Sequence, residues 1–504
     1  MNILLFNPPE THQLRGSVPA VLESNRGYNP PLGLLFIAGV LERLGHSVTV
    51  IDAQVEELTY KEVDKLIEAT DYDLLGLTVM TFTLIDSLKV SEISKKHNPD
   101  TPVVWGGTHL HIYPEETASM PEIDYVITGE GEVAIAHLCE YLTGGREWTD
   151  VDGVGTTADG KYLFNRAAAP VEDLDSLPFP ARHLTKYKKY NSILAKSNVV
   201  TTMFTSRGCP YKCSFCDRPA LRPNFRFRSA LSVVDELEEC VKLGINEFIF
   251  YDDTFTVNRK RVSDICDEII RRKLKIYWDC RTNINAINKD LLIKMHAAGC
   301  VGVHYGVEAG TKKIQKVLRK NLNLDKVQKM FDDTRAIGIK VMAYWIIGNP
   351  TETRADVEEG FRFLQKLNAD FVHIGTLMPF PATEIYLTGL RKGIIKYDYW
   401  KEYAKNPDEN FVAPHWPEIF SESELSELIV AGYKWFYLRP QYIFRRIMQI
   451  RSFSELWRNI KIGVGIVFMK SKEAIISRSS FFNFDSEESP GAGDPPGKKT
   501  ALSV

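Results

Sequence analysis

The sequence predicts an α/β protein in three parts: a doubly wound, mainly parallel sheet, a partial parallel barrel of six strand–helix repeats, and a mainly helical C-terminal region. Three observations predict it. Short apolar runs alternate with helical patterns twice, over about residues 1–145 and again over 199–390. Turn residues close the ends of those runs, and Pro178-Phe179-Pro180 marks a connector within 146–198. After about Lys392 the pattern turns to helices and loops rich in Tyr and Trp.

In the first series the strands are Ile3 to Phe6, Val48 to Asp52, Leu74 to Val79, Val103 to Trp105 and Tyr125 to Thr128. Helical patterns run from about Gly33 to Leu44 and from Val63 to Ala69. Ligands on such sheets sit beyond the carboxyl ends of the strands. Those ends carry Asn7, Asp52, Thr78, Gly106-Gly107 and Gly129-Glu130, where glycines either admit a large ligand or simply close tight turns. Asp152 to Lys161 has hairpin character inside the 146–198 linker.

The second series places strands at Val200 to Thr205, Glu247 to Asp252, Ile276 to Arg281, Gly302 to Glu308, Val341 to Ile347 and Phe371 to Met378. Its active face is again the carboxyl end of the strands. Residues 391–484 form the helical region, and the polar, Gly- and Pro-rich stretch 485–504 reads as a disordered tail.

Composition narrows the function. The chain has 504 residues, 44% hydrophobic and 25% charged, which suits two or three globular domains. A net charge of −3 offers no general attraction for nucleic acid. No apolar run reaches the length of a membrane span, and Met1 to Phe6 reads as a first strand rather than a signal peptide. A cytoplasmic location is expected.

Of the eight cysteines, Cys209, Cys213 and Cys216 crowd one segment, whereas Cys139, Cys240, Cys266, Cys280 and Cys300 are scattered. A chain this size is no disulfide scaffold, so the crowded three call for a metal. Soft thiolates suit zinc or an iron–sulfur cluster. Structural zinc sites normally have four protein ligands, and no fourth Cys or finger-spaced His lies nearby. Three thiolates on a four-iron cluster leave one iron open to a cosubstrate. The triad follows the first strand of the second series, on the expected active face.

The Cys-x3-Cys-x2-Cys spacing, with Phe215 before the third cysteine, resembles the signature of the radical S-adenosylmethionine superfamily. Tyr251-Asp252-Asp253-Thr254-Phe255 looks like the family's second-strand acidic segment. Gly306-Val307-Glu308-Ala309-Gly310 resembles its fourth-strand Gly-x-Glu-Ser-Gly segment, with Ala309 for Ser. Two later turns keep the family pattern with Thr351 and Ala382 in place of Gly. The resemblance implies a TIM-like radical S-adenosylmethionine barrel holding a [4Fe–4S] cluster on Cys209, Cys213 and Cys216. It also implies that Phe215, Asp252, Asp253 and Glu308 bind S-adenosylmethionine, which is split reductively to a 5′-deoxyadenosyl radical. The plain alternative for the three acids is a turn cap or a barrel salt bridge. Arg281 either faces the cosubstrate or pairs structurally.

The doubly wound part resembles the Rossmann-like cobalamin-binding domain that precedes this barrel in one subfamily. Asn7-Pro8-Pro9, Pro31-Leu32-Gly33-Leu34, Gly45-His46-Ser47-Val48, Asp52, Gly106-Gly107-Thr108-His109 and Gly129-Glu130-Gly131-Glu132 carry the likeness. It implies cobalamin contacts from Asn7, Asp52, Thr78, Gly106, Gly107, Gly129 and Glu130. The Asp-x-His-x-x-Gly motif that supplies histidine to cobalt in some cobalamin proteins is absent. His109 and His111 are neighbours of the ligand or ordinary hydrogen-bonded residues.

The family implies a cobalamin-dependent methyl transfer to an unactivated carbon. The alternatives are an oxidative cyclase of the anaerobic magnesium-protoporphyrin ester type, or a non-enzymatic corrinoid or iron–sulfur sensor. Partners follow: a small-molecule substrate, apolar or anionic, and a reductant such as flavodoxin or ferredoxin. The stretch from Arg439 to Lys470, basic among apolar residues, either contacts a membrane surface or receives an anionic apolar substrate, or it caps the barrel with snorkelling Arg side chains.

Overall fold

A computed structural model describes residues 1–14, 27–192, 195–221, 224–449 and 453–469. Arg451, Lys470 and the tail expected over 485–504 lie outside the described residues.

The first sheet contains β1 (Asn2–Asn7), β2 (Ser47–Asp52), β3 (Leu74–Thr78), β4 (Val103–Gly106) and β5 (Tyr125–Ile127), ordered β2-β1-β3-β4-β5 and all parallel. Ile3, Leu4, Leu5 and Phe6 are buried on both faces of β1, which is how a strand reads when helices cover both sides. Those covers include α1 (Leu32–Arg43), α2 (Tyr60–Ala69), α3 (Leu84–His97) and α4 (Gly131–Leu142). Thr59 and Glu62 cap α2 reciprocally. The strand order turns around at β1, opening a crevice at its carboxyl end.

This sheet extends past the boundary expected at residue 145. The hairpin β6 (Val154–Ala158) and β7 (Lys161–Phe164) joins β5 antiparallel, pairing Ile127 with Val154. Val154 is fully buried, so part of the expected linker is sheet. The rest runs to the barrel and is anchored there by Arg182, whose guanidinium meets Glu236 at 2.6 Å with both side chains buried.

The second sheet is ordered β15-β14-β13-β12-β11-β8 and is parallel throughout. Its strands are β8 (Thr201–Met203), β11 (Glu247–Phe250), β12 (Tyr277–Thr282), β13 (Cys300–Glu308), β14 (Lys340–Ile347) and β15 (Phe371–Thr376), with the short pair β9 (Ser206–Arg207) and β10 (Arg226–Phe227) beside it. β8 and β15 are its two edges, so the barrel is an open arc. The crossover helices start on side-chain caps: Ser229 opens α5 (Ala230–Lys242), Asn258 opens α6 (Arg259–Arg271), and Asn288 opens α7 (Lys289–Ala297). The series continues with α8 (Lys312–Val317), α9 (Leu324–Ile337), α10 (Arg354–Leu367) and α11 (Glu384–Arg391).

The exposed edge at β15 is closed by α12 (Glu422–Tyr437). The Val372 amide donates to the Tyr437 hydroxyl at 3.0 Å, and the Ile374 amide donates to the Tyr433 hydroxyl at 3.1 Å. Edge amides that could pair with another strand are thereby occupied. Helices α13 (Pro440–Gln449) and α14 (Phe453–Phe468) follow, leaving Phe444, Met448 and Phe468 exposed. Among the described residues no helix is long and apolar enough to cross a membrane.

One apolar cluster joins the two halves. Leu4, Phe6, Leu77 and Trp105 of the first sheet pack in the same core as Ala309, Leu318, Leu377 and Tyr386 of the barrel. The carboxyl-end loops of the two sheets are therefore brought together.

Candidate active site

The cysteine loop starts from β9, where Gly208 adopts φ +82, a left-handed turn that suits glycine. Two anchors hold the loop. The Ser214 hydroxyl donates to the Val317 carbonyl at 2.8 Å, and the Ile385 amide donates to the Ser214 carbonyl at 3.0 Å. Cys209, Cys213 and Cys216 are partly exposed free thiols, whereas the other five cysteines are buried, as expected for apolar filling.

The Cys209 Sγ lies 3.5 Å from the Thr254 hydroxyl, a neighbour the sequence did not single out. Burial raises the Cys213 thiol against the pull of Lys320, and pushes Cys216 up to about 12. A metal bound to these thiols would have to displace their protons. Among the described residues no three His, Cys, Asp or Glu side chains stand close enough together to hold one metal ion. Cys209, Cys213 and Cys216 share one loop, and thiolates are the donors that iron–sulfur clusters take.

Glu308 ends β13 with φ +69, after a register shift between Gly306 and Glu308. Its carboxylate meets the Lys320 ammonium at 3.2 Å, both side chains being about nine-tenths buried. Burial raises the Glu308 carboxyl even beside that cation. Lys320 also lies over the Phe215 ring, 5.9 Å from its centroid, so it links Phe215 with Glu308. Nothing in the spacing of the motifs marks Lys320, which arrives from the loop after α8.

Asp252 is placed differently from the expected cosubstrate contact. It is fully buried and accepts from the Thr205 amide at 2.6 Å, the Thr205 hydroxyl at 2.5 Å and the Ser206 hydroxyl at 2.6 Å. The buried Arg261 guanidinium stands 3.6 Å from one of its oxygens, so Asp252 ties the segment leading into the cysteine loop to α6. Asp253 is more exposed and accepts from Arg218 Nε at 2.9 Å, just beyond Cys216. Arg281 lies against the Tyr251 ring, 4.1 Å from its centroid.

On the first sheet, the Asn7 side-chain amide donates to Asp52 at 2.7 Å and the Tyr190 hydroxyl donates to the other Asp52 oxygen at 2.8 Å. Burial raises the Asp52 carboxyl despite those bonds. Thr78 ends β3, partly exposed. Gly106 ends β4 and Gly107 follows it; a β-carbon on Gly107 would meet the Val79 carbonyl at 2.4 Å, so glycine is needed for chain packing. A β-carbon on Gly129 would meet open space, so that position leaves room for a ligand.

Glu130 is committed to the barrel. Arg207 approaches it at 3.1 Å, Arg226 binds it, and the Val171 amide donates to it at 3.0 Å. Burial would raise its carboxyl, but the two arginines outweigh this and hold it below its ordinary value. Arg207, two residues before Cys209, also pairs with Glu132. His109 is fully buried, its Nδ1 3.1 Å from the Thr81 hydroxyl and its Nε2 unpartnered. Burial lowers His109 to about 3, which keeps the ring neutral. His111 is bonded through Nε2 to the Gly129 carbonyl at 2.7 Å.

Family models match this two-part layout: the B12 binding domain over residues 18–139 and the Radical SAM superfamily over residues 203–364. The chain is 30% identical over 456 residues to uncharacterized methyltransferase PH0819 of Pyrococcus horikoshii, covering 90% of this chain and 96% of that protein. It is 29% identical over 437 residues to the anaerobic magnesium-protoporphyrin IX monomethyl ester cyclase of Rubrivivax gelatinosus, covering 84% of this chain and 77% of that one. The fold is shared with the radical S-adenosylmethionine methyltransferase TsrM of Kitasatospora setae, solved with cobalamin and a [4Fe–4S] cluster bound. The TM-score is 0.64 at 18% identity, over 78% of this chain and 75% of that one. The chain belongs to the cobalamin-binding radical S-adenosylmethionine superfamily. It is a radical S-adenosylmethionine enzyme, and its cofactors are a [4Fe–4S] cluster, S-adenosylmethionine and cobalamin.

Proposed function

We propose that this enzyme transfers a methyl group to an unactivated carbon of a small-molecule substrate. The observation that carries the reading is the joining of the two carboxyl-end loop sets. Arg207, in the strand that launches the cysteine loop, is ion-paired to Glu130 and Glu132 at the end of β5. The 30% identity to the uncharacterized methyltransferase PH0819, over 90% of this chain and 96% of that protein, supports methyl transfer.

Cys209, Cys213 and Cys216 hold the cluster in this reading. Phe215, Asp253 and Glu308 face the cosubstrate, with Lys320 fixing the Glu308 carboxylate. Asp252 is a positioning residue that sets the path of Thr205 and Ser206. Asn7, Asp52, Thr78, Gly106, Gly107 and Gly129 border the cobalamin crevice, and Glu130 ties that border to the barrel. When bound, the cluster supplies one-electron cleavage of S-adenosylmethionine and cobalamin supplies the methyl group. A reductant of the flavodoxin or ferredoxin type delivers the electron.

Oxidative cyclisation is the second reading, supported by the 29% identity to the Rubrivivax cyclase. Anaerobic purification with iron, sulfide and cobalt measured together, followed by assay of 5′-deoxyadenosine and of product mass, separates the two. Methyl transfer adds one CH2 unit to the product. A product formed without that gain would overturn the methyl-transfer reading.

A further inference from the structure

The two faces of the second sheet are packed differently. Along β14, Val341, Ala343, Trp345 and Ile347 are buried beneath the helices, whereas Met342, Tyr344 and Ile346 on the other face are only partly buried. β12 repeats the pattern, with Trp278 and Cys280 buried and Asp279 and Arg281 partly accessible. Closed parallel barrels fill this interior with layers of branched aliphatic side chains. Here it presents an acid, a guanidinium, two imidazoles and a phenol. Their strands are in register: Arg281 lies beside His304, and Tyr344 beside His373.

Several of these polar atoms are left without partners. Arg281 Nε and Asp279 Oδ1 are buried and make no hydrogen bond. His304 Nε2 stands 3.8 Å from Asp279 Oδ1, beyond hydrogen-bond reach, while its Nδ1 is 3.3 Å from the Tyr344 hydroxyl. Tyr344 meets the His373 ring edge-on at 5.7 Å. Among the described residues no carboxylate forms an ion pair with Arg281, which rests on the Tyr251 ring. Burial pushes Asp279 up to about 7 and His304 down to about 3, and it lowers His373. Burial disfavours the Arg281 cation, but the Tyr344 and Tyr251 phenols and Asp279 outweigh it, so a charged guanidinium stands in the barrel interior without a paired carboxylate. Arg281 and His304 lie below the cosubstrate region, since Glu308 is four residues beyond His304 on β13, about 13 Å of strand, whereas Ile346 reaches the Glu308 level.

We propose that the barrel interior is a substrate subsite for an organic anion, whose carboxylate or phosphoryl group is held by Arg281 and whose apolar body lies against Met342, Tyr344 and Ile346. The proposal rests on the enzymatic reading above for its substrate, but binding tests it without turnover. A wholly apolar substrate would leave Arg281 and Asp279 unsatisfied.

The test is equilibrium dialysis of the anaerobically prepared holoenzyme, with S-adenosylmethionine present, against labelled benzoate and against labelled phenylphosphonate. Saturable binding of one of these anions is expected at millimolar or tighter affinity, and the tighter of the two reports whether a carboxylate or a phosphoryl group is preferred. Arg281→Met should weaken it at least about tenfold, the loss of a charge-assisted contact. Asp279→Asn, which removes the acid that titrates near neutrality, should tighten binding at pH 8. The change S-adenosylmethionine induces in the cluster's EPR spectrum should survive in both variants. Absence of saturable binding to the wild type, or equal binding by Arg281→Met, would overturn the subsite. Loss of the EPR response in Arg281→Met would also overturn it, placing that residue at the cosubstrate. Failure of methyl transfer alone would leave the binding result intact.

Discussion

Lys320 Nζ stands 3.2 Å from Glu308 Oε1, and Gly306 lies so close that a β-carbon there would come 2.3 Å from that oxygen and 2.8 Å from that nitrogen. Both atoms end flexible side chains, so alanine at 306 would displace the ion pair more than strain the backbone. Gly306→Ala should cost no more than about 1 kcal/mol of stability. It should weaken use of S-adenosylmethionine while iron content stays normal. Thermal unfolding and iron analysis check both halves.

Each of Cys209→Ala, Cys213→Ala and Cys216→Ala should lose the cluster and all 5′-deoxyadenosine formation with the fold retained. Iron content, circular dichroism and product analysis read this together. Full activity in any one of them would remove that cysteine from the ligand set.

Asp252 accepts three hydrogen bonds from Thr205 and Ser206 in a fully buried setting. Asp252→Ala would strand those donors, at about 1–3 kcal/mol for each group left unsatisfied. The resulting shift of β9 should reduce cluster incorporation. Iron occupancy that stays at the wild-type level beside a lowered unfolding temperature would confine Asp252 to general stability.

Thr351 and Ala382 occupy left-handed backbone, at φ +63 and +61. An L side chain there costs about 1–2 kcal/mol, and glycine relieves it while making the unfolded chain freer. Thr351→Gly and Ala382→Gly should each raise stability by about 0.5–1 kcal/mol. Urea midpoints of the two variants measure the gain, and a lowered midpoint for both would deny the strain.

Glu352 is 3% exposed and burial raises it to about 7, although the Asn349 amide and side chain donate to it at 2.9 and 3.0 Å. The folded chain then holds this proton more tightly than the unfolded chain does. The group's contribution to stability is fullest below the ordinary glutamate value and is lost as pH rises through about 7. The loss amounts to about 3 kcal/mol. Glu352→Gln should flatten that decline, so urea unfolding of wild type and variant should converge at pH 5 and diverge at pH 8.

Much of this architecture is legible in the sequence because parallel strands buried on both faces are written as short apolar runs. Ile3 to Phe6 and Val341 to Ile347 stand out for that reason. The cysteine triad is legible because its chemistry depends on local spacing. Lys320 is not, since it reaches the site through tertiary contact rather than through a motif, and Thr254 lies in the acidic segment without being marked apart from its aspartates. The same limit explains Asp252 and Glu130. Residue type and position at a strand end mark both as ligand contacts, but only the folded chain shows Thr205, Ser206, Arg207 and Arg226 arriving as their partners. The hairpin character of Asp152 to Lys161 is legible in the sequence, whereas its pairing with β5 through Ile127 and Val154 is a tertiary contact that no local pattern marks.

The apolar cluster that runs from Phe6 and Trp105 through to Leu318 and Tyr386 packs the two halves against each other. Cutting the chain between residues 145 and 199 would bare an oily seam on each fragment and invite precipitation. The spacing between the corrinoid cradle and the sulfur-bearing loop is therefore decided at the moment of folding, and a hinge that parts them during turnover would have to tear that seam open.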